Sequence, residues 1–240
     1  MSAGERPYFS GAALSPEILL EEFKKEMPGA LVVHNAVPPG LLVVHNFLTP
    51  EQCQRIVKEC ETLRGQAGRV LSTGEEGGVA SREVDSRKVD DLSTERMSVD
   101  IDDLGRTAFS LYVARHFARP IEWFEKPKIL RYREGGEYYA HADAYNWQAE
   151  ERRWRRVTDR DFSLLIYLNE DFEGGELEFK YLNHRVAPKQ GLLVAFPSDW
   201  RYAHAALPVR RGVKHTVVSF AAAKDSPRVD KPPPNNLIRL

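Results

Sequence analysis

The stretch Arg131–Trp147, RYREGGEYYAHADAYNW, carries His141 and Asp143 at positions i and i+2. Side chains with that spacing on a β-strand point to one side, so the two groups can grip one ion while Ala142 faces away. A third candidate ligand, His204 in YAHAALPV, lies far along the chain, and a cation, Lys214 in RRGVKHTVVSF, follows it. His204 must then come from a strand folded back alongside the first. A bare histidine–X–aspartate pair is common by chance. Taken alone, His141 reads as a strand histidine with a satisfied hydrogen bond.

Working outward, the chain changes period near Lys126. KILRYRE, EYYAHAD, FSLLIYLN, GELEFKY, GLLVAFP and KHTVVSFAA are short β-type runs punctuated by Gly, Pro, Asn and Asp. Before that point the pattern is helical. Ser15-Pro16 and Thr49-Pro50 are cap-then-proline starts, for SPEILLEEFKKEM and for a helix running to about Leu63. GLLVVHNFL between them reads as a strand. IDDLGRTAFSLYVARHFA sets Leu104, Phe109, Leu111, Ala114 and Phe117 at helical spacing. Residues 64–100 are polar and Gly-rich and read as loop with short strands. Helices followed by many short strands predict an α+β chain, a β-sandwich or barrel with buttressing helices from the N-terminal half packed outside. The expected organisation is an N-terminal extension with a short helix (1–40), one domain (41–223) and a Pro-rich C-terminal tail (224–240). Within the domain, 41–125 supplies helical and loop support and 126–223 the sheet core.

Composition narrows the function classes. A chain of 240 residues suits one domain with extensions. Its net charge of −1 draws it toward neither nucleic acid nor an acidic membrane. No apolar run approaches the ~18 residues of a membrane span, and no signal-like segment opens the sequence. Cys53 and Cys60 fall two helical turns apart, roughly 10 Å, too far for a disulfide. Both read as reduced packing residues on a helix face, and the expected location is cytoplasmic.

The ligand set has a specific chemistry. Two imidazoles and one carboxylate on one face of an ion hold non-heme Fe(II) in oxygenases and leave positions open for cosubstrate and O₂. Zinc accepts the same donors. The cation also has a reason. An oxoacid that chelates iron through its keto-acid end leaves a distal carboxylate in the interior, and burying that charge unpaired is very costly. Lys214 is the candidate to neutralise it, and a hydroxyl can add a hydrogen bond. Arg210 and Arg211 precede the turn at Gly212 and face solvent in this reading. His215 alternates to the opposite face from Lys214 and is structural.

Taken together, the chain from about Val43 to Phe220 resembles the iron(II)- and 2-oxoglutarate-dependent dioxygenases of the prolyl 4-hydroxylase type. NFLTPEQCQRIVKECE resembles the strand-to-helix entry of that family, and RYREGGEYYAHAD its first metal-ligand segment. LLIYLNEDFEGGELEF, VAPKQGLLVAFP and HAALPVRRGVKHTVVSF follow in the family's order. The resemblance implies a double-stranded β-helix, a jelly-roll or cupin-like barrel. It implies His141, Asp143 and His204 as iron ligands, and Lys214 with the Tyr132 hydroxyl as partners of the distal carboxylate of 2-oxoglutarate. Tyr138 and Arg160 match positions that contact substrate in peptidyl-prolyl members; ordinary packing for Tyr138 and a solvated charge for Arg160 are the bland alternatives. Fe(II), 2-oxoglutarate and O₂, with ascorbate as a reductant, are the implied cofactors. Asp143 points to hydroxylation, since related halogenases lack that carboxylate.

The sequence departs from the family pattern around the expected substrate mouth. Phe220 stands where many prolyl hydroxylases carry Trp, and Leu177 replaces the Thr usual after Gly-Gly-Glu. The segment AYNWQAEERRWRRVTD (144–159) is unusually charged and aromatic, and reads as a solvated loop or lid more readily than as a nucleic-acid surface. The reading is therefore a hydroxylase of a peptidyl residue. A hydroxylase of a free amino acid or other small metabolite, or a non-catalytic binding module on the same scaffold, remains open beside it.

Overall fold

The computed structural model describes residues 8–10, 31–33, 37–63, 65–67, 70–73, 79–82, 88–95, 97–148, 150–229 and 232–240. The helix expected over SPEILLEEFKKEM lies outside these residues. Helix α1 (Pro50–Thr62) starts where its sequence directs. The Thr49 hydroxyl accepts the Gln52 backbone N–H and the Gln52 side chain accepts that of Thr49, a reciprocal cap with Pro50 next in line. Its inner face is Cys53, Ile56 and Cys60. Both cysteines are free, and burial pushes each thiol up to about 12, the behaviour of inert packing groups.

The second helix corrects one residue of the sequence reading. It opens at an Asp100 cap as α2 (Ile101–Thr107), passes through a π-helical segment (Ala108–Val113) and ends in a last turn (Ala114–His116). Regular α spacing predicts Leu111 on the inner face, yet it is 40% exposed. The π segment bonds i to i+5, which widens the turn and shifts the register. Tyr112 and Val113 are buried beside Phe109 instead.

Two larger sheets and three two-stranded sheets account for the described strands. The main sheet runs β2 (Leu31–Val33), β1 (Tyr8–Ser10), β3 (Leu42–His45), β17 (Leu193–Pro197), β13 (Phe162–Tyr167), β20 (Lys214–Ala223), β9 (Lys128–Tyr132), β7 (Asp90–Leu92) and β4 (Gly65–Ala67). The far end of β20 also pairs β8 (Ile121–Glu125), and β8 pairs β21 (Leu237–Arg239), so the end of the Pro-rich tail is an edge strand. The minor sheet runs β10 (Tyr138–His141), β18 (His204–Ala206), β15 (Leu177–Phe179) and β16 (His184–Val186). Separate two-stranded sheets pair β5 (Val70–Thr73) with β6 (Val79–Arg82), β11 (Tyr145–Gln148) with β12 (Arg153–Arg156), and β14 (Glu173–Gly174) with the distant β19 (Val209–Arg211). The charged segment expected as a loop or lid is thus largely the β11–β12 hairpin, with Trp147 opposite Trp154.

Strand alternation sorts the core into two layers. Leu164 and Ile166 of β13, Leu193 and Ala195 of β17 and Val217 of β20 pack against Cys53, Ile56, Phe109 and Val113 of the helices. The opposite parity, Tyr167, Val194 and Phe196, packs with Leu177, Phe179 and Val186 of the minor sheet. The molecule is mostly antiparallel sheet with few helices, and the main sheet lies between helices on one face and the minor sheet on the other. Ile166 lies on the central strand of this arrangement and is fully buried. Ile166→Ala is expected to cost about 2–5 kcal/mol, read as a lower denaturant midpoint at unchanged slope.

Candidate metal centre

The two histidines are cross-strand partners. His141 of β10 lies opposite His204 of β18 in the antiparallel register, so both imidazoles leave the minor sheet side by side, ring centroids 4.5 Å apart. The strand ends at His141, and Asp143 sits in the bend beyond it rather than on the strand itself. The spacing argument survives this change. One ligand atom from each of His141, Asp143 and His204 lies within 4.8 Å of the others.

Hydrogen bonds fix which atoms face the centre. His141 Nδ1 lies 2.8 Å from the Tyr139 carbonyl and His204 Nδ1 lies 3.0 Å from that of Tyr202. A carbonyl only accepts, so each Nδ1 carries the proton and each Nε2 is left as a lone pair. The Nε2 atoms lie 3.3 Å (His141) and 3.7 Å (His204) from Asp143 carboxylate oxygens. Burial pushes His204 down to about 4, against the opposing pull of Asp143, so its ring is neutral near pH 7. Burial works against the charged form of Asp143 too. The neighbouring His204 and His141, with a hydrogen bond from Ser163, outweigh it and hold the carboxyl below its usual range. One carboxylate and two imidazole nitrogens, aimed at one point, form a donor set that suits a divalent cation. Other groups brace the set. Tyr138 stacks on His141 with centroids 3.8 Å apart, and Phe196 meets the His204 ring edge-on at 4.8 Å.

The centre opens into a cavity of about 250 Å³ whose wall includes Tyr132, Asn146, Arg160, Leu177 and Phe220. The two family departures, Leu177 and Phe220, therefore border the same space as the triad. Arg160 is not a solvated charge. It forms a two-point pair with Glu125 and lies flat over the Phe220 ring at 3.8 Å. Lys214 and Tyr132 are register partners on β20 and β9, with the ammonium 4.0 Å from the ring centroid. Lys214 is 2% exposed and donates to the Gly175 carbonyl at 2.9 Å. Gly175 has φ +69°, and a Cβ there would crowd Lys214 Cδ at 3.2 Å, which accounts for the second glycine of EGGE. Burial lowers Lys214 to about 7, with Glu176 acting in the opposite sense. On the same face, Thr216 is buried and its hydroxyl has no partner among the described residues. A buried ammonium beside an unspent hydroxyl suits an anionic ligand. The sequence reading placed Arg210 and Arg211 outside, where they are, and put His215 on the face away from Lys214, where it is buried opposite Arg131.

Sequence reasoning passed over Ser163, Ser198 and Thr216. Parity on FSLLIYLN and KHTVVSF marks Ser163 and Thr216 as polar groups on inward positions, a readable signal. Ser198 follows a strand and carried none.

A His-Asp-His cluster at the edge of a minor sheet packed on a larger antiparallel one offers the donor set of a site for a single metal ion. The comparisons agree. Residues 127–222 match the 2OG-Fe(II) oxygenase superfamily. Prolyl 3-hydroxylase 3 of Homo sapiens is 45% identical over 67 residues, which is 25% of this chain and 9% of that protein. The chain thus spans a small part of the length of that relative. A PKHD-type hydroxylase of Parvibaculum lavamentivorans is 28% identical over 169 residues, 70% of this chain and 71% of the relative. The viral collagen prolyl hydroxylase of Paramecium Bursaria Chlorella virus-1 shares the fold, with a TM-score of 0.55 at 19% identity over 77% of this chain and 96% of that one. Residues 127–222 are thus similar to the 2OG-Fe(II) oxygenase superfamily, and the relatives the chain resembles are hydroxylases by name.

The buried Lys214 yields a two-part prediction. Lys214→Met removes a costly buried charge at similar volume, so the melting temperature should hold or rise, while 2-oxoglutarate affinity falls at least about tenfold. In the unaltered protein an anion prefers the protonated amine. Calorimetric affinity for 2-oxoglutarate should therefore be highest below pH 7 and decline as pH rises through about 7.

Proposed function

We propose that this protein is an Fe(II)- and 2-oxoglutarate-dependent dioxygenase that hydroxylates an unactivated C–H bond of a peptidyl residue. The observation that carries the reading is the convergence of His141 Nε2, His204 Nε2 and the Asp143 carboxylate at one wall of the cavity. In this reading those three hold Fe(II). Lys214 pairs with the distal carboxylate of 2-oxoglutarate, with the Tyr132 hydroxyl beside it, and Tyr138 and Arg160 border the substrate. The two facing sheets are read as the double-stranded β-helix barrel of the family, 126–223, within a domain of 41–223 flanked by 1–40 and 224–240. The setting we infer is cytoplasmic, where thiols such as Cys53 and Cys60 stay reduced. No helix among the described residues is long and apolar enough to cross a membrane.

Iron with 2-oxoglutarate and O₂ supplies the oxidising power, coupling decarboxylation to succinate and CO₂ with insertion of one oxygen atom into a C–H bond. The chain's own residues do the rest. The Tyr139 and Tyr202 carbonyls keep both imidazoles in the ligating tautomer. Lys214 anchors the cosubstrate's far end. In this reading Phe220, Leu177 and Arg160, the last held by Glu125, line the cavity beside the substrate.

Charge bookkeeping favours a peptide over a free amino acid. A free amino acid brings an ammonium and a carboxylate, and each needs a counter-charge once buried. On the cavity wall, the triad is committed to the metal, Arg160 is already neutralised by Glu125, and Lys128 is exposed. A peptide segment brings a neutral backbone and needs neither. The names of the relatives, prolyl 3-hydroxylase and PKHD-type hydroxylase, accord with this choice.

The test is succinate formation from 2-oxoglutarate, with ascorbate keeping iron reduced, across proline-containing peptides and free amino acids. Turnover should require Fe(II), appear with peptides and vanish in His141→Ala, with the circular dichroism of the fold retained. Full turnover without that imidazole would refute the site, and turnover confined to free amino acids would refute the substrate class.

A further inference from the structure

Asp143 is held from more directions than a metal ligand needs for its charge alone. Its Oδ1 lies 3.3 Å from His141 Nε2, while its Oδ2 accepts a hydrogen bond from Ser163 Oγ at 2.6 Å. An ionised carboxylate only accepts, so Ser163 must be the donor. The Ser163–Ser198 contact, 2.7 Å between hydroxyl oxygens, then has its direction settled. Ser163 has spent its proton, and Ser198 donates to it. Both serines are 1% exposed, so water does not compete for either bond. Ser198 also holds the neighbouring backbone. Its carbonyl accepts the Ala144 N–H at 3.0 Å, and its own N–H donates to the Asp161 carbonyl at 2.9 Å. The Asp143 carbonyl is tied in turn by the Thr158 hydroxyl at 3.3 Å and Arg160 at 3.4 Å.

We propose that Ser163, backed by Ser198, is a positioning residue that occupies Oδ2 of Asp143 and so limits this carboxylate to offering one oxygen to the metal. This rests on the reading of the triad as a metal site. Its consequence concerns vacancies rather than strength. A carboxylate that chelated through both oxygens would take one of the places a bidentate cosubstrate needs. The hydroxyl pair would therefore protect 2-oxoglutarate binding more than metal binding. Buried serine hydroxyls facing each other serve no apolar packing purpose, and each would be costly to bury if left unpaired.

Co(II) is a suitable probe, because its visible spectrum reports coordination number and no turnover is needed. In Ser163→Ala, Co(II) should still bind, its spectrum should change, and 2-oxoglutarate affinity of the Co(II) protein should fall about tenfold, the lower end of losses seen when groups supporting metal ligands are removed. Ser163→Thr, which keeps the hydroxyl, should restore both readouts. A spectrum and a 2-oxoglutarate affinity unchanged in Ser163→Ala would overturn the proposal. Should Ser163→Ala fail to fold, Ser198→Ala decides: a change in the same direction supports the relay, and identity with the unaltered protein overturns it. Failure of the unaltered protein to take up Co(II) would instead remove the metal reading itself, and this proposal with it.

Discussion

His141 and His204 face one another across the β10–β18 ladder, and everything functional in the molecule depends on that register. Side chains on a strand alternate with period two, so a slip by one residue would turn one imidazole to the far side of the minor sheet. The neighbouring pairing guards against it. Phe179 of β15 lies opposite His204 on the other side of β18, and Phe179 and Phe196 sit edge to face in the inter-sheet core. A slipped β18 would have to drag that aromatic contact with it. The ladder also shifts register between Tyr138 and His141, and such irregularities re-aim side chains. Here the strand ends at His141 itself, and the chain bends to bring Asp143 back toward the two rings.

The charges around this point form a closed system. Asp143 is the anion of the triad, and the Tyr139 and Tyr202 carbonyls fix a proton on Nδ1 of the imidazoles beside it. The nearest strong cation, Arg160, is spent on Glu125 and cannot compete with a metal for the carboxylate. Lys214 on β20 is a buried cation whose direct acceptor among the described residues is the Gly175 carbonyl. A centre that attracts a divalent cation and a separate buried ammonium that attracts an anion together match a cosubstrate with a chelating end and a charged end.

The parts of this arrangement that were readable from sequence are those set by local periodicity and unusual chemistry. Two histidines, an aspartate and a lysine on β-type runs announce themselves because charged groups on buried strands need a reason. The strands from Lys128 to Ala223 follow alternation and turn residues, and the α1 start follows its cap and proline. What was hidden depends on geometry that periodicity does not encode. Leu111 faces outward because a π segment alters the helical repeat. The 145–156 hairpin is masked by charge, since RWRR carries the mark of a solvated loop although its strands pair in perfect register. Asp143 lies just past its strand, a boundary no propensity resolves. Arg160 was ambiguous because its partner, Glu125, is supplied by a strand distant in sequence. Serines are too common for the Ser163–Ser198 pair to stand out until two strands bring them together.

Several of the places where the fold gives up stability lie where chemistry is proposed, although His116 and His215 also carry buried ring nitrogens with no partner among the described residues. Lys214 is buried without a carboxylate in direct contact, Thr216 has a buried hydroxyl with no partner among the described residues, and Gly175 adopts a left-handed backbone to make room for the lysine. Each would be cheaper as an apolar residue in an ordinary strand or turn. They cluster on one inward face of β20 and the glycine turn opposite it, while the helix-facing side of the same strand carries Val217 and Ala221 in an apolar core. One strand thus serves two purposes by alternation. Val217 and Ala221 at odd positions anchor the sheet to the helices, while Lys214 and Thr216 at even positions carry buried polar groups that a bound anion would satisfy.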